Sequence, residues 1–290
     1  MVDVTTVAAA VTGGVGAAVV FHPLDTLLVL RQTVNHKSLI LPFHHYWRGV
    51  TVSAGFSAPA FAVYMVSYRQ AKQEFAPYLG NELTYLLSGV IAEITSGVLW
   101  TPMEVIKGRM QLKSQPERVS VIKVCKQIYK EEKVRGFFRG YWMSLAMYTP
   151  SAMVYWHVYE NLKSFFRKKP HLPGRSLSPN PSVSGPLSTV QYAISSSLAT
   201  IVSEIVSNFL DVIKTRQQLS KTDEIKRMRP TDQTSLLHVA RNLIKEAGLV
   251  GALFKGMHIR LLYALPTGAL SMVIMESIKP DIEDSDDYGL

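Results

Sequence analysis

The chain has a single cysteine, Cys125, among 290 residues. No internal disulfide can form, and the redox compartment stays open. Charged residues make up only 18% of the chain, and no basic soluble domain of the kind nucleic-acid binding needs is present. No lysine or arginine precedes Arg31. That excludes the charged start of a secretory signal and the Arg-rich look of a cleaved transit peptide, so any targeting information is expected to be internal. Nor is there an unbroken run of eighteen apolar residues, so hydropathy alone undercounts membrane helices here. No nucleophile–base pair, phosphate-cradling loop or metal-ligand spacing occurs. Gly13-Gly14-x-Gly16 has no strand before it and reads as helix packing. Neither an enzyme nor a cofactor or metal requirement is expected.

What the chain does have is a threefold repetition. Trp47-Arg48-Gly49, Phe138-Arg139-Gly140 and Phe254-Lys255-Gly256 are each followed by a proline ten residues after the glycine: Pro59, Pro150 and Pro266. Thirteen residues beyond each proline stands a lysine, Lys72, Lys163 or Lys279. Upstream lie HPLDTLLVLRQ, TPMEVIKGRMQ and NFLDVIKTRQQ, each with one acid in register: Asp25, Glu104 and Asp211. Three copies of an apolar segment, a charged elbow and another apolar segment predict six membrane helices with threefold pseudo-symmetry. The expected helices span about 5–33, 50–75, 83–113, 142–167, 188–219 and 256–279, giving an all-α membrane protein. The expected units are 1–76, 77–169 and 188–280, with a Pro/Ser/Gly-rich linker at 170–187 and an acidic tail at 281–290. Hydrophobic residues make up 47% of the chain, yet its mean hydropathy is only +0.11. Helices surrounding a watery cavity reconcile the two, because their inner faces can be polar.

The charge of +9 is unevenly placed. Residues 31–48, 104–139 and 211–255, within the three repeats, hold 22 of the 31 Lys and Arg but 9 of the 22 acids. The positive-inside rule puts these loops on the negative side of the membrane, with both termini opposite. Short amphipathic helices are expected on that side at 119–132 and 234–247. In the first repeat only 35–46 remains for this element, which is short or irregular. Odd-numbered helices carry small residues in matched register: Ala9/Gly13/Ala17, Ser88/Ala92/Ser96 and Ser195/Ala199/Ser203. Small residues every fourth position let membrane helices approach closely.

This pattern resembles the mitochondrial carrier family, inner-membrane solute transporters built from three two-helix repeats. The family signature runs Pro-x-[Asp/Glu]-x-x-[Lys/Arg]-x-[Lys/Arg], then an aromatic, a base and a glycine after a loop. The second copy is complete with Pro102, Glu104, Lys107, Arg109 and Gln111. The third keeps Asp211, Lys214, Arg216 and Gln218 but has Phe209 for proline. The first keeps Pro23, Asp25 and Gln32 but has Leu28 and Leu30 at both basic positions. The resemblance implies a matrix gate of acid–base pairs among odd helices. Carried over, Lys107 pairs with Asp211 and Lys214 with Asp25, leaving Glu104 alone opposite Leu28. An opposite, cytoplasmic-side gate is implied for the even helices: Lys72, Glu160, Lys163, Glu276 and Lys279, with Arg69 where an acid is expected. Each gate then makes at most two of three pairs. The resemblance further implies an inner-membrane location with both termini in the intermembrane space. It also implies a monomer, a small-molecule substrate and lipid contact, with cardiolipin at the aromatic-base-glycine elbows.

Carriers read substrate about three residues before the mid-helix proline of each even helix. Those positions are Phe56, Met147 and Tyr263, with neighbours Ser57, Tyr148 and Ala264. None is charged, which argues against nucleotides, phosphate and di- or tricarboxylates, since arginine forks suit those anions. Two acids lie at membrane depth instead. Glu204 stands seven residues before Asp211, and Glu93 eleven before Glu104. Both offsets return to within about 20° of the same helix face, roughly 10 and 16 Å along the axis. A carboxylate at that depth needs water or a cation. An aromatic wall with two acids fits a cation or zwitterion such as an amino acid. Short stretches of the third repeat resemble the branched-chain amino acid branch, and TPMEVIKGRMQ resembles the iron and S-adenosylmethionine branches. A metal carrier, with Met143, Met147 and His157 as soft ligands, an S-adenosylmethionine-type carrier and a membrane scaffold that has lost transport remain open alternatives.

Overall fold

The computed structural model describes residues 18–33, 42–112, 120–168, 189–228, 230–233 and 235–278, with positions 12, 15 and 16. All of its regular structure is helical. The pairs are α1 (His22–Thr33) with α2 (Val50–Phe75), α3 (Asn81–Leu112) with α5 (Tyr141–Lys168), and α6 (Thr189–Leu219) with α9 (Met257–Ile278). Between the helices of the second pair lies α4 (Val121–Glu132). Between those of the third lie α7 (Asp223–Met228) and α8 (Leu236–Leu253). Among the described residues the first pair has a 3₁₀ turn there, Phe43–Trp47. Residues 34–41, the 170–187 linker and the acidic tail lie outside the described residues, as does Ala9/Gly13/Ala17.

Three described segments are long and apolar enough to cross a membrane: Phe43–Phe75, Leu83–Leu112 and Ile194–Leu219. A fourth passes if the pair Leu236–Leu253 and Met257–Thr267, bent by 50°, is one span. The other helices do not reach that length and mean hydropathy over the described residues. Helices α1, α3 and α6 touch one another pairwise, and α9 packs against both α6 and α1. That last contact brings the third pair back to the first and closes the bundle.

The small-residue stripes are the packed seams. Ser88, Ala92, Ser96, Ser195 and Ala199 are fully buried, and α3 and α6 lie against α2 and α5 respectively. On other faces of the same helices Ile91, Ile94, Val98, Ile194, Leu198, Val202 and Ile205 are exposed. A small-residue seam with an outward aliphatic face is what lipid demands, since hydrophobicity cannot drive helix association there. Helix α4 buries Val124 and Ile128 against Met103, Val105, Ile106 and Met110, and α8 buries Val239 and Leu243 against Val212 and Ile213. Cys125 is half-buried on α4, and desolvation pushes its thiol above the usual range, so it is a poor nucleophile.

Proline and its replacement are handled differently along the odd helices. The first is interrupted by a turn at Phe21, two residues before Pro23, whereas α3 runs through Pro102 without a break. Where the third copy has Phe209, the preceding Asn208 donates to the carbonyls of Leu253 and Lys255 at 2.7 and 3.3 Å. His22, at the same register position, bonds the Arg48 carbonyl at 3.0 Å. One residue thus ties each odd helix to the elbow base of its own pair in two of three copies.

Candidate functional site

Where α1, α3 and α6 meet, their acids and bases form a ring. Lys107 donates to Asp25 Oδ1 at 2.9 Å while Gln111 donates to Oδ2 at 2.8 Å. Lys214 donates to Glu104 Oε1 at 2.9 Å while Gln218 donates to Oε2 at 2.9 Å. Gln32 donates to Asp211 Oδ2 at 2.7 Å. Lysine and glutamine four residues apart share one helix face, so each pair presents two donors to the two oxygens of one carboxylate. The expected pairing is reversed. Each lysine reaches the acid of the preceding repeat, so Lys107 takes Asp25 rather than Asp211, and Lys214 takes Glu104 rather than Asp25. Motif spacing alone does not carry the direction in which the helices succeed one another around the axis. The acid whose lysine is missing at Leu28 is therefore Asp211, not Glu104.

Asp211 nonetheless has a cation. Arg260 of α9 places Nη1 3.3 Å from Asp211 Oδ2, its Nε contacts Glu204, and Nη2 donates to Ser207 Oγ at 3.1 Å. A third acid–base contact thus exists where two were expected, and Glu204 is paired rather than open. Arg260 lies outside every motif of the repeat. It could have been found as the one Lys, Arg, Asp or Glu between Lys255 and Glu276 in an otherwise apolar helix.

The second basic position of each copy serves a different contact. Arg109 engages Glu132 and Glu131 at the end of α4, and Arg216 donates to Glu246 of α8 at 2.7 Å and to the Gln32 carbonyl at 3.1 Å. The first copy has Leu30 there, and residues 31–48 contain no acid for a base to meet. Leu30 instead packs with Leu112, Leu219 and Ile225 beneath the ring. Base and acid are missing together, which spares the fold an uncompensated buried charge.

The elbow glycines seat the ring. Gly140 has φ +82°, and a Cβ on it would stand 2.7 Å from Gln218 Cγ. Gly49, at φ +86°, leaves a Cβ only 3.0 Å from Lys107 Cγ. Left-handed backbone costs a non-glycine residue about 1–2 kcal/mol, and here the side chain that must yield belongs to the ring. Gly140→Ala should lower the thermal unfolding midpoint of the purified protein. Gly89→Ala, on a helix where nothing lies within 4 Å of the added carbon, should leave the midpoint unchanged or raise it slightly. Equal effects of the two substitutions would refute this account of the elbow.

Further along the bundle from the ring, Glu93, Tyr148, Tyr263 and Ala264 keep partial exposure. Glu93 makes no hydrogen bond or ion pair among the described residues. The Tyr148 ring centroid lies 4.9 Å from Lys214 Nζ, a cation–π contact that joins this level to the ring. Phe56 packs against the cluster around Val52 and Met103, and Ser57 is buried with its hydroxyl on the Ser53 carbonyl at 2.6 Å. Met147 is fully buried. Met143 packs against the Val212 cluster, and His157 is exposed. Among the described residues no three His, Cys, Asp or Glu side chains are grouped to hold a metal ion.

At the other end of the even helices, Lys72 Nζ sits 4.9 Å from the Tyr85 ring and Lys163 Nζ 4.9 Å from the Tyr159 ring. The side chains of Glu160 and Glu276, and the whole of Lys279, lie outside the described residues.

The sequence profile of the mitochondrial carrier protein family matches residues 81–170 and 185–285. An uncharacterized mitochondrial carrier of Schizosaccharomyces pombe is 32% identical over 96% of this chain and 98% of its own length. The mitochondrial glycine transporter of Sclerotinia sclerotiorum is 26% identical over 91% and 88% of the two chains. Mitoferrin-1 of Danio rerio is 25% identical over 86% and 70%. With the threefold elbow, the ring of Lys107, Lys214 and their acids, and this coverage of its length, the chain belongs to the mitochondrial carrier family.

Proposed function

We propose that the protein carries a small cationic or zwitterionic metabolite, such as an amino acid, across the mitochondrial inner membrane by alternating access. The observation that carries this reading is the charge of the interior. Asp25, Glu93, Glu104, Asp211 and Glu204 supply five carboxylates there, against the three cations Lys107, Lys214 and Arg260. Glu93 is the acid left for a solute, with Tyr148 and Tyr263 as an aromatic wall. A dicarboxylate or nucleotide entering this site would meet excess negative charge and no free arginine fork.

Alternation follows from the ring as a closed matrix gate. Substrate at Glu93 and Tyr148 competes for Lys214, through the cation–π contact, and the gate residues on Lys72, Glu160, Lys163, Glu276 and Lys279 form in exchange. Both termini then face the intermembrane space, in keeping with the basic loops on the matrix side. Anionic lipid, such as cardiolipin, fits beside the Gly140 elbow, where a cavity of about 480 Å³ is lined by Arg135, Arg139 and Lys221 with Glu132 and Asp232. The protein works as a monomer.

Uptake into liposomes of labelled glycine, leucine, lysine, ATP and malate by the purified protein tests the reading. Saturable uptake of one of the amino acids, with none of ATP or malate, is expected. Saturable ATP or malate uptake would overturn the substrate class, and no flux of any solute would favour a carrier-fold scaffold. A metal cargo finds less support, because Met143 packs against the Val212 cluster and Met147 is buried.

A further inference from the structure

We propose that Arg260 is the third cation of the ring, supplied from α9 in place of the lysine that Leu28 displaces. Its shared grip on Glu204 and Asp211 sets how firmly the ring closes. In two limbs a lysine and a glutamine from one helix hold one carboxylate. In the third, Gln32 keeps its place at 2.7 Å from Asp211, and Leu28 stands one helical turn before it. Leu28 is buried beside the third elbow, since a Cβ on Gly256 would lie 3.5 Å from Leu28 Cδ1 and 3.4 Å from Gln32 Cγ. Arg260 begins one turn beyond that glycine, at the level of the gap.

The pseudo-symmetry makes the substitution specific. Four residues after their own elbow glycines, the other even helices carry Ser53 and Ser144, both buried and uncharged. Only the limb lacking a lysine has a base at this position. Arginine also does what lysine would not. Its planar guanidinium touches Glu204, Asp211 and Ser207 together, whereas an ammonium acts as one point charge. Arg260 is itself nearly buried, at 8% exposure, so its two acids compete for it with little screening by water. Whatever weakens the claim of Glu204 leaves Arg260 to Asp211 and tightens the ring. Whatever draws Arg260 inward loosens it.

The inference rests on reading the ring as a gate, and a test without substrate keeps it separate from the choice of solute. In the full-length protein with Cys125→Ser, cysteines replace Leu112 and Leu219, which share the apolar cluster beneath the ring. The rate at which a short bis-maleimide bridges them in liposomes reports closure. Arg260→Gln should slow bridging about tenfold, the loss of one partly buried ion-pair contact to Asp211, and Asp211→Asn should do the same. Adding Leu28→Lys to Arg260→Gln should return the rate to within about twofold of the parent. Glu204→Gln alone should keep or raise it. The double variant Arg260→Gln/Glu204→Gln should stay slow, which separates the gate from the mere presence of an unpaired acid. If Arg260→Gln cannot be obtained folded, the two double variants carry the comparison. Parental bridging in Arg260→Gln or in its Glu204→Gln double would overturn the proposal. So would failure of Leu28→Lys to rescue although it bridges normally by itself, or a Glu204→Gln protein as slow as Arg260→Gln.

Discussion

Exchanging Asp25 and Lys107 in one variant should restore the stability that either charge reversal alone destroys. The two side chains are only 12% and 13% exposed, and their oxygen and nitrogen lie 2.9 Å apart. Breaking a buried pair by losing one partner costs about 3–5 kcal/mol, because the remaining charge stays buried without compensation. Asp25→Lys or Lys107→Asp alone should therefore lower the unfolding midpoint by several degrees and abolish uptake. The exchanged variant should recover most of the midpoint, though not all of it, since Gln111 donates to the carboxylate of Asp25 and has no acceptor on a lysine there. The matching exchange of Lys107 with Asp211 should bring no recovery. Rescue by that second exchange instead of the first would reverse the direction of the ring.

Glu93→Gln should reduce uptake of a cationic or zwitterionic solute by roughly ten- to a hundredfold while leaving the unfolding midpoint near the parent's. A carboxylate that meets an ammonium gains about 1.5–3 kcal/mol net from a charge-assisted hydrogen bond, and each ~1.4 kcal/mol is a decade of affinity. Glu93 has no internal partner among the described residues, so removing its charge leaves nothing else unpaired. Glu204→Gln should behave differently. Its carboxylate is held by Arg260, so the change should act on the closing of the ring before it acts on binding. Equal uptake by the Glu93→Gln protein and its parent, with saturation at the same concentration, would remove Glu93 from the substrate site.

Two departures of the first repeat, Leu28 and Leu30, look alike in the sequence and differ in the fold. Leu28 and Leu30 each replace a base, and each can be read as a weakened contact. Leu30 is answered by apolar neighbours, Leu112, Leu219 and Ile225, and by a first loop without acids, so nothing is left unpaired. Leu28 is answered by Arg260 from a helix more than two hundred residues away along the chain. The first compensation can be found by counting charges in residues 31–48. The second needs the packing of α9 against α6, which sets Arg260 beside Glu204 and Asp211 and which no local spacing encodes.

The all-helical membrane class, the three helix pairs and the acids, lysines and glutamines of the ring follow from the residue pattern alone. They do so because a repeated motif reports the same local geometry three times. The elbow glycines and the small-residue stripes were legible for the same reason, and the amphipathic helices α4 and α8 through apolar residues at helical spacing. Tertiary structure alone decided which acid each lysine takes, because handedness around the axis is a property of the assembled bundle. It alone brought Arg260 between Glu204 and Asp211, since only the packing of α9 against α6 makes them neighbours. It also separated Glu93, left open to the interior, from Glu204, bound to an arginine. Helical periodicity places both acids toward the axis, but only the surrounding helices determine which one meets a buried cation.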